Sequence, residues 1–444
     1  MKILILGSGG REHALCHYIA KSKKIDQIFC MPGNAGTEAI AKNVNLDSNN
    51  FQIIKKFVIK NKIDIVLVGP EKPLVDGITN YLERNNIKVF GPNKIASKLE
   101  GSKIFTKKLC KKYNIPTAKF HIFQNKNKTR KFLINCSYPL VIKADGLASG
   151  KGVYICKKKI EAEAAIKEIF NGKFGKAKNI LLEEFLEGEE MSFFILSDGK
   201  NFKFFGTAQD HKKVGENDTG PNTGGMGAYS PSRLENKLLN HKILEKIIKP
   251  TLNALKDLNT EFRGFLYAGL MIRENEPYLI EYNVRMGDPE CQTILPRLNA
   301  DFFDVIKATI DKKLNSINIK WKKQSCLSVV LCSKGYPNKF KNELEIRSLK
   351  NIRLKKNQFI FHAGTKLQKS KIISNGGRVL NFVVSSLNLK ESRDQALKLI
   401  KKLNWKNGFY RKDIGYKIID KCELFQELIK EKNFICLIAN LQGH

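Results

Sequence analysis

The sequence predicts an α/β and α+β multidomain protein whose N-terminal part is a doubly wound parallel sheet. A length of 444 residues exceeds one compact core, since domains usually have about 100 to 200 residues. Over residues 1–100, short apolar strands alternate with helical stretches, and this order is typical of a parallel sheet. Glycine- and proline-rich loops follow the strands, so we expect a ligand site at their carboxyl ends.

The elements of this N-terminal domain are predicted from apolar runs. Strands are predicted at residues 2–6, 25–31, 63–68 and 87–90, with a helix at residues 12–21. Two further domains are predicted over residues 101–323 and 324–444, the last of which starts with a strand at residues 326–332. The sequence has no low-complexity linker between them, so we expect the domains to pack closely.

Composition argues against several classes of protein. The net charge is +35, but the lysines lie along almost the whole chain, which favours compositional drift over a specific nucleic-acid surface. The N-terminal apolar run is too short for a signal peptide, and no stretch approaches the roughly 20 apolar residues that span a bilayer. The 10 cysteines form no C-x-x-C pair and are predicted to be reduced, mostly buried thiols. We therefore expect a cytoplasmic enzyme.

The first glycine-rich loop, residues 7–12, follows a strand and opens a helix, which is the setting of a phosphate-binding turn. It departs from the dinucleotide fingerprint because Glu12 stands at the third glycine position, where a carboxylate would repel a pyrophosphate. We therefore predict that Gly9, Gly10 and Arg11 hold a single monophosphate. The alternative is a loop that only turns the chain.

A second loop follows an apolar strand, residues 138–143, that ends in Lys143. A lysine at the end of a buried strand is unfavourable unless it meets an anion, and the loop glycines, Gly150 and Gly152 among them, would let the loop close over phosphates. The spacing differs from the Walker pattern because Gly152 follows Lys151, which indicates a different nucleotide-binding fold. A surface hairpin, the alternative, would not account for Lys143.

Residues 180–190 predict a strand, a short connection and a second strand. Main-chain groups of the apolar connection would face an adenine edge, with Phe185 and Leu186 beside the ring and Glu190 near the ribose hydroxyls. Exposed glutamates are more often simply solvated, so this segment alone would identify no site.

Residues 279–290 carry the strongest functional signal. On an extended strand, Glu281, Asn283 and Arg285 share one face because side chains alternate. A carboxylate and an amide oxygen suit a magnesium ion that bridges ATP phosphates, and Arg285 would be free to clamp the transferred phosphoryl group. The alternative is a structural salt-bridge ladder, which is unexpected on a strand with apolar neighbours.

Together these segments resemble the ATP-grasp superfamily and, within it, the glycinamide ribonucleotide synthetases, or phosphoribosylamine–glycine ligases. The most distinctive motifs are Asp-His-Lys at residues 210–212 and Thr-Gly-Pro-Asn-Thr-Gly-Gly-Met-Gly at residues 219–227. Further similar motifs lie at residues 7–15, 32–37, 69–71, 332–337, 361–365, 376–380 and 410–415. The resemblance covers nearly the full length and leaves the tail after about residue 419 without an assigned motif.

The resemblance implies an ATP-grasp core over residues 101–323, with a mobile lid at about residues 135–195, and a small mixed C-terminal domain. It implies that glycine is joined to 5-phosphoribosylamine through glycyl phosphate in purine biosynthesis, while ATP becomes ADP and phosphate. The implied cofactors are ATP and Mg²⁺ or Mn²⁺. The implied partners are small molecules only, for a monomeric chain that binds no specific nucleic acid and no membrane.

Residue roles follow from the same resemblance. Lys103 and Lys143 would hold the ATP phosphates. Glu281 and Asn283 would hold the metal, and Arg285 would stabilise the developing charge. The wider nucleotide site would comprise Ser149, Gly150, Gly152, Glu183, Phe185, Leu186 and Glu190. The side that binds the sugar phosphate and glycine would comprise Gly9, Gly10, Arg11, Glu12, Glu71, Asn222, Gly224 and Gly225, with Asp210 and Lys212 as further catalytic candidates.

One departure from the superfamily leaves the metal shell incomplete. The strand that precedes Glu281 in the sequence, residues 265–272, lacks the second acidic ligand that the superfamily places there. Three rival functions also stay open on the residues alone. They are another ATP-grasp ligase or carboxylase of purine or biotin metabolism, a nicotinamide-dependent dehydrogenase, and a nucleic-acid-binding protein.

Overall fold

The computed structural model describes residues 1–147, 152–175 and 179–419. The strands are β1 Lys2–Gly7, β2 Gln27–Pro32, β3 Lys42–Asn43, β4 Ile65–Val68, β5 Lys88–Phe90, β6 Phe120–Phe123, β7 Leu140–Ala144, β8 Val153–Cys156, β9 Ile180–Glu184, β10 Glu189–Asp198, β11 Phe202–Asp210, β12 Lys213–Gly215, β13 Thr219–Asn222, β14 Gly227–Ser230, β15 Arg263–Arg273, β16 Glu276–Asn283, β17 Ser325–Ser333, β18 Gln358–His362, β19 Thr365–Gln368, β20 Lys371–Ser374, β21 Arg378–Ser386 and β22 Gly408–Phe409.

The α-helices of the described residues include α1 Gly10–Ile19, α2 Phe51–Asn61, α3 Glu71–Asp76, α4 Ile78–Glu83, α5 Lys98–Gly101, α6 Lys103–Lys112, α7 Lys126–Phe132, α8 Lys159–Phe170, α9 Lys237–Ile243, α10 Lys249–Asp257, α11 Glu290–Ile294, α12 Phe302–Ile310 and α13 Leu389–Leu403.

The N-terminal domain is the predicted parallel sheet, with strand order β3-β2-β1-β4-β5. Its central strands are apolar and buried, as expected for a sheet covered on both faces. The four predicted strands and the first helix are confirmed, with ends shifted by up to two residues. The carboxyl ends of β1, β2, β4 and β5 therefore lie at one edge, where the glycine-rich loops begin.

A nine-stranded sheet forms the centre of the molecule, with the path β16-β15-β10-β11-β14-β17-β21-β18 and β22 beside β17. The pairing of β14 with β17 joins the middle of the chain to its C-terminal part. The strand predicted at residues 326–332 is confirmed as β17, and it belongs to this sheet. The reason is that β17 is buried along nearly its whole length and has a neighbour on each side.

A smaller four-stranded sheet, of order β6-β9-β7-β8, carries α7 and α8. It has a hydrophobic cluster of its own, which includes Leu140, Ile142, Ile166 and Leu182. This small sheet runs from Phe120 to Glu184, whereas the predicted lid spans residues 135–195. The difference at the end arises because β10 pairs with β11 and β15 in the large sheet.

Within the described part of the chain, the helices are too short or too polar to cross a bilayer. The eight cysteines in this part are free thiols, and seven of them are buried.

Candidate active site

One face of the large sheet carries oxygen-bearing side chains from three neighbouring strands. Glu281 and Asn283 of β16 stand opposite Gly269 and Tyr267 of β15, and Gly269 in turn pairs with Ser192 of β10. Directly paired residues project to the same side of a sheet, so these groups share one surface. Gly269 leaves room beside Glu281, because a Cβ atom at this position would lie 3.3 Å from Glu281 Cγ.

Glu281 is an anion surrounded by cations. Burial raises the pKa of its carboxyl group, but the charges of Lys212, Lys143 and Lys103 outweigh that effect and hold the pKa below its ordinary value. The Asn283 side chain has no hydrogen-bond partner in the described residues. An ionised carboxylate and a free amide oxygen on one strand suit a hard divalent cation.

Within the described residues, no group of three or more His, Cys, Asp or Glu side chains could hold a metal. A magnesium ion bound by one or two protein groups usually takes its other ligands from substrate phosphates and water. The donor set therefore fits a metal that arrives with ATP.

Lys143 lies in β7 with its ammonium group 2.7 Å from Glu183 Oε2, and both side chains are about 95 % buried. Lys107 of α6 meets the other oxygen, since its Nζ atom is 3.0 Å from Glu183 Oε1. The Lys107 ammonium also donates to Thr117 Oγ1, which donates to the Leu279 carbonyl at 2.6 Å. In this arrangement Glu183 is the shared counter-ion of two lysines, so its predicted contact with the nucleotide stays a prediction.

Sequence reasoning missed Lys107. Its helix contains five lysines, and no motif distinguishes this position from Lys108 beside it. The helical period is the one signal that could have found it, because Lys107 lies one turn after Lys103 and Ile104 on the buried side of α6.

Lys103 is held beside the loop that follows β7. Its Nζ atom donates to the Gly146 carbonyl at 2.9 Å, and burial lowers its pKa. Asp145 accepts from Ser102 Oγ at 3.1 Å, which ties the same loop to the start of α6. Gly152 closes the hairpin by accepting from the Ala144 amide at 2.9 Å, whereas Ser149 and Gly150 lie outside the described residues.

The connection between β9 and β10 brings Phe185 and Leu186 to half-buried positions. Glu190 is exposed, and its Oε2 atom lies 2.9 Å from Lys212 Nζ. Their predicted contacts with adenine and ribose stay predictions. The Glu190–Lys212 pair nevertheless links this connection to the surface that carries Glu281.

Arg285 is less free than the sequence predicted. Its Nη2 atom lies 2.8 Å from Glu100 Oε1, and its Nε atom lies 3.4 Å from Glu71 Oε2. Burial lowers the pKa of its guanidinium, but Glu100 and Glu71 outweigh burial and raise it. In this arrangement Arg285 joins the N-terminal domain to the end of β16, and its role with a phosphoryl group stays a prediction.

In the N-terminal glycine-rich loop, the Glu12 carboxylate accepts hydrogen bonds from the loop's own donors. Glu12 Oε2 accepts from the Gly9 amide at 2.6 Å, and Glu12 Oε1 accepts from Arg11 Nε at 2.7 Å. A glutamate at the third position of a helix commonly bonds back to the cap amide in this way. Two of the donors predicted to hold a monophosphate are therefore already used, and the remaining ones include the Gly10 amide.

The glycine-rich loop after β13 is fastened by the C-terminal domain. Arg378 Nη1 donates to the carbonyls of Gly224 and Asp288, and Tyr336 Oη accepts from the Gly224 amide at 3.0 Å. Sequence reasoning noted the motif around Arg378 without a role for it. The structure brings this arginine beside Gly225, whose φ of 110° requires glycine.

Asp210 ends β11, and its Oδ1 atom is buried without a hydrogen bond in the described residues. Burial and the nearby charge of Glu290 raise its pKa well above the ordinary value. The pKa of Lys212 is also raised well above its ordinary value, because burial lowers it but Glu190, Tyr267 and Glu281 have the larger, opposite effect.

The strand hairpin that follows Lys212 places Asn222 beside Lys213, in a half-buried position. Arg411, which is 99 % buried, donates to the Lys213 carbonyl at 3.0 Å and to Asp218 Oδ1 at 2.9 Å. The segment around Arg411, which sequence reasoning left without a role, therefore holds this hairpin against the C-terminal domain.

Three family profiles match successive parts of the chain. They are the phosphoribosylglycinamide synthetase N domain over residues 1–100, the phosphoribosylglycinamide synthetase ATP-grasp (A) domain over residues 101–291, and the phosphoribosylglycinamide synthetase C domain over residues 326–417.

Individual relatives agree with these profiles. A phosphoribosylamine–glycine ligase of Caldanaerobacter subterraneus is 44 % identical over 418 residues, which cover 94 % of this chain and 99 % of the relative. The crystal structure of a phosphoribosylamine–glycine ligase from Thermotoga maritima is 33 % identical with a TM-score of 0.81, over 93 % of this chain and all of that one. The biotin carboxylase domain of a Hydrogenobacter thermophilus 2-oxoglutarate carboxylase has a TM-score of 0.68 at 16 % identity, over 90 % of this chain and 89 % of that one, and shares the fold alone.

Proposed function

This chain belongs to the phosphoribosylglycinamide synthetase family, and we propose that the surface shared by β16, β15 and β10 is where it activates glycine with ATP and joins it to 5-phosphoribosylamine. The activity itself, an ATP-dependent carbon–nitrogen ligation of purine biosynthesis, follows from membership at this coverage. The observation that supports the location is that Glu281 and Asn283 share one face of β16 while the charges of Lys103, Lys143 and Lys212 hold the pKa of the Glu281 carboxyl group below its ordinary value.

The chemistry requires two displacements. A carboxylate is a poor electrophile, so one oxygen of glycine first attacks the γ-phosphorus of ATP, and the bond from phosphorus to ADP breaks to give glycyl phosphate. The amine nitrogen of 5-phosphoribosylamine then attacks the carbonyl carbon, and phosphate leaves with the former glycine oxygen. The amine loses one proton. In such reactions the protein mainly positions the reactants and neutralises charge.

On the ATP side, Lys103 and Lys143 would contact the phosphates, and Glu281 and Asn283 would hold the divalent metal that ATP-grasp enzymes use. The bound metal would neutralise phosphate charge and orient the γ-phosphoryl group. Phe185 and Leu186 would flank the adenine. The choice between Mg²⁺ and Mn²⁺ stays open in this proposal, and the monomeric state and cytoplasmic location stay predictions.

On the sugar side, the edge of the N-terminal sheet would receive 5-phosphoribosylamine. Because Glu12 uses the Gly9 amide and Arg11 Nε, phosphate binding at this loop would need the Gly10 amide together with a shift of Glu12. The same carboxylate in its present position would instead accept hydroxyl groups of the ribose. Replacing Arg11 by alanine tests whether this loop binds the sugar substrate, since contact with it predicts a raised KM for 5-phosphoribosylamine with an unchanged KM for ATP.

The test of the proposed function is substrate-dependent ADP release. With ATP and a divalent metal, we expect ADP to form at a catalytic rate only when glycine and 5-phosphoribosylamine are both present, together with equal amounts of glycinamide ribonucleotide. Bicarbonate replaces glycine in a control reaction, because biotin carboxylases share the fold. ADP release with bicarbonate and not with glycine would contradict the proposal.

A further inference from the structure

Three charged side chains meet at the small sheet with a surplus of positive charge. Lys143 Nζ lies 2.7 Å from Glu183 Oε2, and Lys107 Nζ lies 3.0 Å from Glu183 Oε1. Each of the three side chains is at most 5 % exposed, and within the described residues neither lysine has another ion-pair partner within 4 Å. A buried surplus charge is unfavourable unless an ion of opposite sign meets it, so this cluster favours the arrival of an anion.

The two contacts of Glu183 are unequal. Glu183 pairs with Val141 of the neighbouring strand β7, two residues before Lys143, so both charged side chains lie on one face of the small sheet. Burial raises the pKa of Glu183, but the two lysines outweigh burial and hold it below its ordinary value. Glu183 Oε1, beside Lys107, is nevertheless buried without a hydrogen bond in the described part of the chain. The carboxylate therefore has an unused acceptor on the side of Lys107.

Lys107 is held from outside the small sheet. It lies in α6, whose Leu109 belongs to the hydrophobic cluster that also contains Leu279 of β16. Its ammonium donates to Thr117 Oγ1, and Thr117 Oγ1 donates to the Leu279 carbonyl at 2.6 Å. Lys107 is thus fixed to the large sheet, whereas the other two members of the cluster belong to the small sheet.

We propose that Lys107 is a positioning residue that holds Glu183 when Lys143 turns from this carboxylate to a phosphate of ATP. The inference depends on the proposed function, since it takes Lys143 as a phosphate ligand. Without Lys107, a carboxylate released by Lys143 would stay buried and unpaired, and this cost would oppose the release. With Lys107 in place, Glu183 keeps one ammonium partner while the phosphate gains the other.

The experiment compares ATP with adenosine, which has no phosphate to attract Lys143. The KM for ATP and the inhibition constant of adenosine against ATP are measured for the wild type and Lys107→Met, at saturating glycine and 5-phosphoribosylamine. We expect Lys107→Met to raise the KM for ATP about 10- to 100-fold, because ATP binding would leave a buried carboxylate unpaired. The adenosine constant, kcat and the KM for glycine should change less than about threefold.

A second comparison makes the same change in a Glu183→Gln background, where no carboxylate is left for Lys107 to hold. There Lys107→Met should change the KM for ATP less than about threefold. If Lys107 attracted the phosphates directly, the change would weaken ATP binding equally in both backgrounds. A loss of about 10-fold or more in the Glu183→Gln background would therefore overturn the positioning role, and this comparison does not require the single variant Lys107→Met to fold.

Lys108→Met is the matched control, because Lys108 is the exposed neighbour of Lys107 on the same helix. An unchanged KM for ATP in Lys107→Met, or an equal loss of ATP and adenosine binding, would overturn the positioning role, while ADP release by the wild type with glycine would still support the proposed function. A wild type that releases no ADP with glycine would overturn the proposed function itself.

Discussion

The small sheet and the large sheet, which both carry candidate site residues, are attached to the rest of the molecule in different ways. The small sheet has its own hydrophobic cluster, and several of its contacts with the rest of the chain are polar, such as Glu183 with Lys107, and Gly146 with Lys103. The large sheet is continuous from β16 to β18 and joins two domains. We therefore expect Lys143, the predicted phosphate ligand, to belong to a unit that can move, whereas Glu281 and Asn283, the predicted metal ligands, belong to one that cannot.

This difference has a physical reason. Polar contacts exchange for contacts with water at a net cost of about 1 kcal/mol each, whereas a shared apolar sheet cannot separate without exposing its core. A unit attached by hydrogen bonds and ion pairs can therefore open locally while the rest stays folded. The predicted lid movement is consistent with this arrangement and stays a prediction.

The largest expected effect concerns the large sheet, which carries Glu281. Glu281→Gln should lower kcat by at least about 10³-fold while the fold stays intact, because the proposed charged ligand to the metal is lost. Steady-state kinetics at saturating ATP and metal, with circular dichroism, would measure it. Glu276→Gln on the same strand is the control, since Glu276 contacts only surface lysines. An inactive and unfolded Glu281→Gln protein would show instead that Glu281 is structural.

The attachment of the small sheet is the next target. Glu183→Gln leaves Lys107 and Lys143 buried without a counter-charge and should destabilise the small sheet by about 3 kcal/mol or more. Lys107→Met leaves a balanced Lys143–Glu183 pair and should cost less. ATP should restore much of the loss in Glu183→Gln, because its phosphates supply the missing anion. Hydrogen exchange of β7 and β9, with and without ATP, measures this.

The reverse order, with Lys107→Met more disruptive than Glu183→Gln, would contradict the view of Glu183 as the shared counter-ion. Lys108→Met is the matched control, because Lys108 is an exposed neighbour on the same helix.

Lowering the pH should destabilise the large sheet before it destabilises the small sheet. Burial lowers the pKa of His362, at the contact between β18 and α1, to about 4, and burial also lowers that of His211 to about 4. A histidine with a lowered pKa in the folded state contributes stability that is complete above its unfolded value of about 6.5 and is lost as pH falls toward 4. A shift of this size corresponds to at most about 3 kcal/mol for His362.

Amide hydrogen-exchange rates, measured at pH 7.5 and pH 5 and corrected for the intrinsic effect of pH on exchange, would report this loss of stability. We expect the contact between α1 and β18 to lose protection at pH 5 while β7 and β9 keep theirs, since His121 in the small sheet is exposed. His362→Gln should reduce the pH dependence. Loss of protection that begins in the small sheet would contradict the comparison.

Some strands can be predicted from the sequence and others cannot, for a physical reason. The N-terminal strands and β17 are continuous apolar runs, so their positions could be predicted from the local sequence alone. The first strand of the small sheet, Phe120–Phe123, is short and partly exposed, so no apolar run marks it. The continuity of the large sheet depends on pairing between distant segments, which local patterns do not contain.

The residues of the candidate site also fall into two groups, those that a local pattern predicts and those whose role depends on distant partners. Glu281 and Asn283 were found because strand alternation places them on one face, and their pairing with Gly269 and Tyr267 is consistent with that. Lys107, Arg378 and Arg411 were missed because their importance comes from partners more than 60 residues away, such as Glu183 for Lys107 and Gly224 for Arg378.

The central claim is that glycine is activated by transfer of the γ-phosphoryl group to its carboxylate at the surface of the large sheet. The most direct measurement uses glycine labelled with ¹⁸O in both carboxylate oxygens and follows the label by mass spectrometry in the complete reaction. The account predicts that each phosphate released carries one ¹⁸O atom and that the amide product keeps the other. Unlabelled phosphate, formed together with the amide product, would contradict it.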